Sequence, residues 1–266
     1  MWRFVNVSVK GTSHLANEIP CQDHNACRVV HKNKSKTLIL CVSDGAGSAL
    51  LAEQGSAYIC DKFIRNVAKS LKSGRIVGDF DKEFFKEWLL EFQSELLEIS
   101  KEGGKGIKDF ACTFLGAIVG ESHACFVQIG DGAIVFKDED ERYDFVFMPQ
   151  QGQFVNQTFF ATDENATAVL EHQNFERRID EIALFTDGLQ NLVLDLGTSK
   201  TNRDFFDQWF SWLSETPNGD SRKRALETYL QSPKINERTD DDKTLVLAVR
   251  DPLEQKKLDS AKETII

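Results

Sequence analysis

Thr37-Leu38-Ile39-Leu40-Cys41-Val42-Ser43-Asp44-Gly45 is a short apolar run that stops abruptly on serine, aspartate and glycine. Its length and composition read as a strand over 37–42 with Asp44 delivered at its end. The same ending recurs in Val127-Gln128-Ile129-Gly130-Asp131-Gly132 and in Leu184-Phe185-Thr186-Asp187-Gly188. A further apolar strand, over 244–249, starts directly behind Asp240-Asp241-Asp242. Asp-Gly is a preferred hairpin dipeptide, so each ending taken alone has a turn reading, strongest for Asp131 between two short strands. Taken together, the endings suggest strand ends converging on one edge of a sandwich. Carboxylates gathered there repel one another, and a hard divalent cation with oxygen ligands resolves that repulsion.

Working outward, 4–9 alternates as a half-buried strand does, and 27–30 reads as a strand. Between them lies a polar loop holding Gly11, Pro20 and Cys21. Apolar residues recur at helical spacing over 52–71 and 81–101, the second stripe being Phe85, Trp88, Leu89, Phe92 and Leu96. Segments 110–119, 123–129, 133–136 and 143–147 read as one antiparallel meander. An irregular stretch follows over 149–180, then a strand over 181–185 and two amphipathic helices over 203–215 and 222–231. Strands outnumber helices, and the helices fall in two pairs between strand groups. The expectation is an α+β fold, two central antiparallel sheets flanked by helix pairs in a four-layer α-β-β-α sandwich. No repeat or long linker divides the chain, so 1–250 reads as a single domain and 251–266 as a charged, frayed C-terminal tail.

Composition narrows the function. The 266 residues carry 32 basic and 42 acidic side chains, a net charge of −10. Such a surface disfavours nucleic acid and anionic lipid as partners. There is no apolar run of membrane-spanning length and no signal-like N-terminus, which reads as cytoplasmic. The six cysteines are too sparse for a disulfide framework, and Cys41, Cys60 and Cys112 read as small core hydrophobes. None has an arginine at the spacing a cysteine-dependent phosphatase needs. Asp138-Glu139-Asp140-Glu141-Arg142 approaches an aspartyl-phosphate motif but ends in arginine and reads as a hairpin tip. Walker, dinucleotide and nucleophile-elbow patterns are missing. Cys21, His24 and Cys27 have zinc-like spacing, with His123 or Cys125 as distant fourth ligands, against a loop with incidental cysteines. His31 and His172 read as surface residues.

The ordered motifs resemble the metal-dependent protein phosphatases of the protein phosphatase 2C type, bacterial stand-alone subgroup. Gln22-Asp23 is similar to the early acidic pair, Ser43-Asp44-Gly45-Ala46-Gly47 to the Asp-Gly-x-Gly signature, and Thr113 with Gly116 to the Thr-containing strand. Gly130-Asp131, Thr186-Asp187-Gly188-Leu189 and Asp241-Asp242-Lys243-Thr244 match the three later motifs. The resemblance implies hydrolysis of phosphoserine and phosphothreonine on proteins by water held between two manganese or magnesium ions. Asp44 is then the bridging ligand, completed by Asp23, Asp187, Asp241 and the Gly45 carbonyl. Asp131 corresponds to the ligand of a third, looser ion that shares Asp187. The implied partners are a phosphoprotein substrate and a cognate Ser/Thr kinase, and the protein is expected to be a monomer.

Four positions depart from that pattern. Gln22 replaces an acidic residue, Ala46 stands where some members carry a histidine acid, and Ser48 replaces a glycine. The phosphate-holding arginine has no counterpart near Glu18 or Pro20. His14 is the nearest candidate to take its place, against a loop histidine bonded to backbone, and completes a catalytic set with Asp44 and Asp187. These departures keep a second reading open, a pseudophosphatase that binds a phosphoprotein or kinase. A third is a two-metal hydrolase of small phosphoesters.

Overall fold

Period-two alternation sorts the side chains of each strand onto two faces, and the faces of this protein are apolar on both sides. The computed structural model describes residues 1–33, 35–150, 158–195, 200–217 and 219–251. Its strands are β1 (Trp2–Val9), β2 (His24–Lys32), β3 (Ser35–Ser43), β4 (Phe114–Val119), β5 (Ala124–Ile129) and β6 (Ala133–Lys137). Then come β7 (Tyr143–Phe145), β8 (Glu171–Phe175), β9 (Glu181–Phe185), β10 (Leu194–Asp195), β11 (Lys200–Thr201) and β12 (Lys243–Arg250). The helices are α1 (Thr12–Ala16), α2 (Ala52–Lys72), α3 (Lys82–Glu102), α4 (Ala166–Val169), α5 (Gln190–Val193), α6 (Arg203–Glu215), α7 (Asp220–Leu230) and α8 (Pro233–Asn236). None among the described residues is long and apolar enough to cross a membrane.

Among the described residues two five-stranded antiparallel sheets form, one ordered β1-β12-β9-β6-β7 and the other β2-β3-β4-β5-β8. In β3, Leu38, Leu40 and Val42 face the opposite sheet, while Ile39 and Cys41 face α2 and α3. In β12, Val246 and Ala248 face inward, while Leu245, Leu247 and Val249 meet α6 and α7. Three apolar layers therefore separate four structural ones, the α-β-β-α order expected. The α3 stripe of Phe85, Trp88, Leu89, Phe92 and Leu96 is buried as its spacing predicts. Asp81 caps that helix, accepting a hydrogen bond from the Phe84 amide at 2.8 Å.

Five expectations need correction. The meander is split: β4 and β5 pair in one sheet, β6 and β7 in the other. The chain crosses between sheets at Gly130-Asp131-Gly132. Gly130 has φ +108° and no room for a Cβ, which would lie 2.6 Å from the Thr113 side chain. The strand read over 110–119 starts only at Phe114, because Ile107–Phe110 turns as a 3₁₀ helix and 111–113 bonds to the chain after Asp44. The polar loop after β1 contains α1. The stretch over 149–180 holds α4 and β8. Glu171-His172-Gln173-Asn174-Phe175 has no apolar alternation because it is a half-exposed edge strand on β5. His172 on this strand is half-buried rather than fully exposed; its Nε2 lies 2.9 Å from the Phe80 carbonyl. His31 is exposed, as expected. The tail beyond Asp251 and residues 151–157 of the irregular stretch lie outside the described residues.

Candidate functional site

Register decides which ends meet. His24 at the start of β2 lies opposite Ser43 at the end of β3, and Phe185 at the end of β9 lies opposite Leu245 and Ala133. Asp23, Asp44, Asp187, Asp241 and the Gly130–Gly132 crossover therefore emerge at one edge of the sandwich. Asp44 is steadied through its backbone: its amide donates to Thr113 Oγ1 at 2.9 Å, and its carbonyl accepts from the Thr113 amide at 2.7 Å. Behind Asp187 the chain passes so close to β12 that a Cβ on Gly188 would lie 2.0 Å from the Asp242 carbonyl oxygen.

Asp23 ties the two sheets together. Its Oδ2 accepts from Thr186 Oγ1 and Thr244 Oγ1, each at 2.7 Å, both from the opposite sheet. Its Oδ1 is buried with no hydrogen-bond partner. Burial pushes the Asp23 carboxyl up to about 7, against the lowering effect of the two threonines. Asp44 is pushed well above the ordinary range, first by burial and then by Asp23, Asp187 and Asp241. Asp187 rises to about 7 through burial and then the charges of Asp131 and Asp241. Asp131 and Asp241 are raised too, burial again leading. The five carboxyls thus feel one another in a poorly solvated space.

Among the described residues no three His, Cys, Asp or Glu side chains close on one point as a finished cage, the aspartates included. They form a neighbourhood of interacting carboxyls, with the Gly45 backbone inside it. Its donors are hard oxygens, and the stranded Asp23 oxygen offers a lone pair that no protein group uses. That set fits a hard divalent cation. The zinc alternative fares otherwise. Cys125 donates to the Phe80 carbonyl on the helix side of its sheet, and among the described residues Cys21, His24 and Cys27 close on no common point.

Other residues of this edge escaped the sequence reading. Thr158 Oγ1 donates to Asp131 Oδ2 at 2.5 Å, and the Gln190 amide donates to the Asp131 carbonyl. Lys243 is fully buried beneath the cluster, its Nζ donating to the Asp241 carbonyl at 3.0 Å. Burial lowers its ammonium, opposed by Asp242, Asp241 and Asp23. Asp242 turns inward and is 2% exposed. Hydroxyls beside Asp187 and behind Asp242 were the available signal for Thr186 and Thr244; Thr158 had none. His14 lies in α1, with Nδ1 2.9 Å from Asp242 Oδ2, so the backbone-bonded reading of it does not hold.

The α-β-β-α sandwich with carboxylates gathered at one sheet edge agrees with the phosphatase class that the sequence motifs resemble, and comparison with known proteins places the chain in that class. Residues 10–231 match the family model described as protein phosphatase 2C, and the chain belongs to that family. It is 32% identical over 251 residues to serine/threonine-protein phosphatase 3 of Escherichia coli strain K12, covering 93% of this chain and 98% of that one. The crystal structure of the serine/threonine phosphatase Stp1 from Staphylococcus aureus superposes with a TM-score of 0.64 at 14% identity, covering 94% of this chain and 96% of the other. RsbX in complex with magnesium gives 0.55 at 13% identity, covering 93% and 94%. These two structures support the fold.

Proposed function

We propose that this protein hydrolyses phosphoserine and phosphothreonine on proteins, with residues 1–250 acting as one catalytic domain. The observation that carries this reading is the convergence of Asp23, Asp44, Asp131, Asp187 and Asp241 on one edge, with Asp23 Oδ1 buried and without a donor. Manganese or magnesium, when held by Asp23, Asp44, the Gly45 carbonyl, Asp187 and Asp241, supplies an activated water and neutralises phosphoryl charge. Asp131 extends the set with Asp187 toward a third ion. RsbX, crystallised with magnesium, supports that choice of cation.

The protein's own part is arrangement. Thr186 and Thr244 fix one oxygen of Asp23 and leave the other for a ligand. The Thr113 hydroxyl and amide hold the backbone on which Asp44 and Gly45 are presented. The cysteines offer no activated nucleophile: Cys41, Cys60, Cys112 and Cys125 are buried, and burial raises the partly exposed Cys21 and Cys27 thiols. A phosphoprotein substrate implies an opposing Ser/Thr kinase, and we place both in the cytoplasm, with this protein a monomer.

The test is an assay of chelator-stripped protein on a phosphothreonine peptide and on a small aryl phosphate, with manganese or magnesium titrated in. Turnover should require the added cation, favour the peptide, and survive alkylation of the accessible cysteines. Activity in excess chelator, or a clear preference for the small ester, contradicts the proposal.

A further inference from the structure

The face of β1 that looks into the sandwich reads Trp2, Phe4, Asn6, Ser8: apolar at one end, polar at the end that meets the aspartates. On the opposite sheet Asn25 precedes Cys27 and Val29 along the inward face of β2. β1 and β2 are the edge strands of their sheets. Amides and hydroxyls at such positions cost stability unless they are hydrogen-bonded. Here they join into one relay. Asn6 Nδ2 donates to Asn25 Oδ1, and Asn25 Nδ2 donates to Ser8 Oγ at 2.7 Å. Ser8 Oγ lies 2.6 Å from Thr244 Oγ1, which donates to Asp23 Oδ2 at 2.7 Å.

Counting donors gives the relay a single direction. An aspartate that holds a cation is ionised and only accepts, so Thr244 gives it its one hydroxyl proton. Thr186 does the same, while its oxygen takes the Thr244 amide at 3.1 Å. Ser8 then gives its proton to Thr244, and its oxygen takes the Asn25 amide. Asn25 is left with Oδ1 toward Asn6, which presents its own amide donor. Every bond points at Asp23, and aligned bonds polarise one another. The last link fixes Asp23 Oδ2, and Oδ1 is the oxygen without a partner. We propose that Asn6, Ser8 and Asn25 are positioning residues for the cation centre, acting through Thr244 to hold Asp23 with Oδ1 presented to the ion. The relay rests on the cation-centre reading of the aspartate edge, and each of the three residues reaches Asp23 through Thr244.

The test is calorimetric titration of manganese into chelator-stripped protein, far enough below the melting temperature that lost stability alone leaves the affinity unchanged. Ser8→Ala cuts the relay beside Thr244 and should weaken manganese binding about tenfold, whereas Ser8→Thr keeps the hydroxyl and should bind within about twofold of wild type. Asn25→Leu is a second cut of similar side-chain volume and should weaken binding less, because the link from Ser8 to Thr244 survives. A double variant decides whether Ser8 acts through Thr244. The loss in Ser8→Ala/Thr244→Val should match that in Thr244→Val alone, since the relay is already cut at its last link. Wild-type affinity in both Ser8→Ala and Asn25→Leu, with only the melting temperature lowered, overturns the relay, as do losses that add in the double variant. Either result leaves the cation centre and the phosphatase reading standing. No manganese uptake by the wild type instead overturns the cation centre and the relay together.

Discussion

Asp131 shows how much one side chain's role depends on what surrounds it. A hairpin aspartate is interchangeable with asparagine, but β5 and β6 lie in different sheets, so Asp131 closes no hairpin. Its carboxylate accepts from Thr158 and interacts with Asp187. Asparagine keeps an oxygen for Thr158 and removes only the charge. Asp131→Asn should therefore melt as wild type does, yet lose an order of magnitude in turnover, about 1.4 kcal/mol of transition-state stabilisation. Wild-type turnover across a manganese titration contradicts a ligand role. Thr186→Val tests the other side of the site. It removes one of two donors to a buried carboxylate and should cost about 1–3 kcal/mol in denaturant unfolding. An unchanged unfolding midpoint shows that the Asp23 clamp is not needed. Asp44, Asp131, Asp187 and Asp241 were visible in the sequence because each follows or precedes an apolar run, whereas Asp23 lies in a polar loop and was marked only by the family resemblance. The separate duties of Asp241 and Asp242 were not, since three consecutive aspartates look alike until pairing of Lys243 with Val9 sets the register.

At the scale of elements, the strands bearing the aspartates and the stripes of α2, α3 and α6 were legible because each is long and periodic. The crossover at Gly130 was not, because a hairpin and a jump between sheets share the same local pattern of strand, glycine, strand. Nor was β8, whose polar residues sit on a half-exposed edge and are held by backbone pairing with β5. The approach of the two strand ends at Gly188 gives an element-scale prediction. A methyl group there meets the Asp242 carbonyl, which is backbone and cannot rotate away. Gly188→Ala should separate the end of β9 from the start of β12, costing about 1–3 kcal/mol in stability and weakening the cation response of the melt. A variant with wild-type stability and cation response contradicts that close packing.

For the whole molecule, the acidic edge couples stability to pH and to cations. Asp23 and Asp187 titrate near 7 in the fold against 3.8 for the free side chain. Between those values the unfolded chain binds fewer protons than the native one, so native stability falls as pH rises through the window and levels off above it. In chelator, the melting temperature should drop between about pH 5 and pH 8, and Asp187→Asn should flatten that slope. A cation that binds only the native site should restore the loss at the alkaline end. The most direct measurement is calorimetric titration of manganese into chelator-stripped protein at pH 7.5, wild type beside Asp44→Asn. A divalent-cation centre built on Asp44 predicts saturable uptake by the wild type and its loss in the variant, whose metal-free melt stays intact. Equal uptake by both proteins, or none by the wild type, contradicts it.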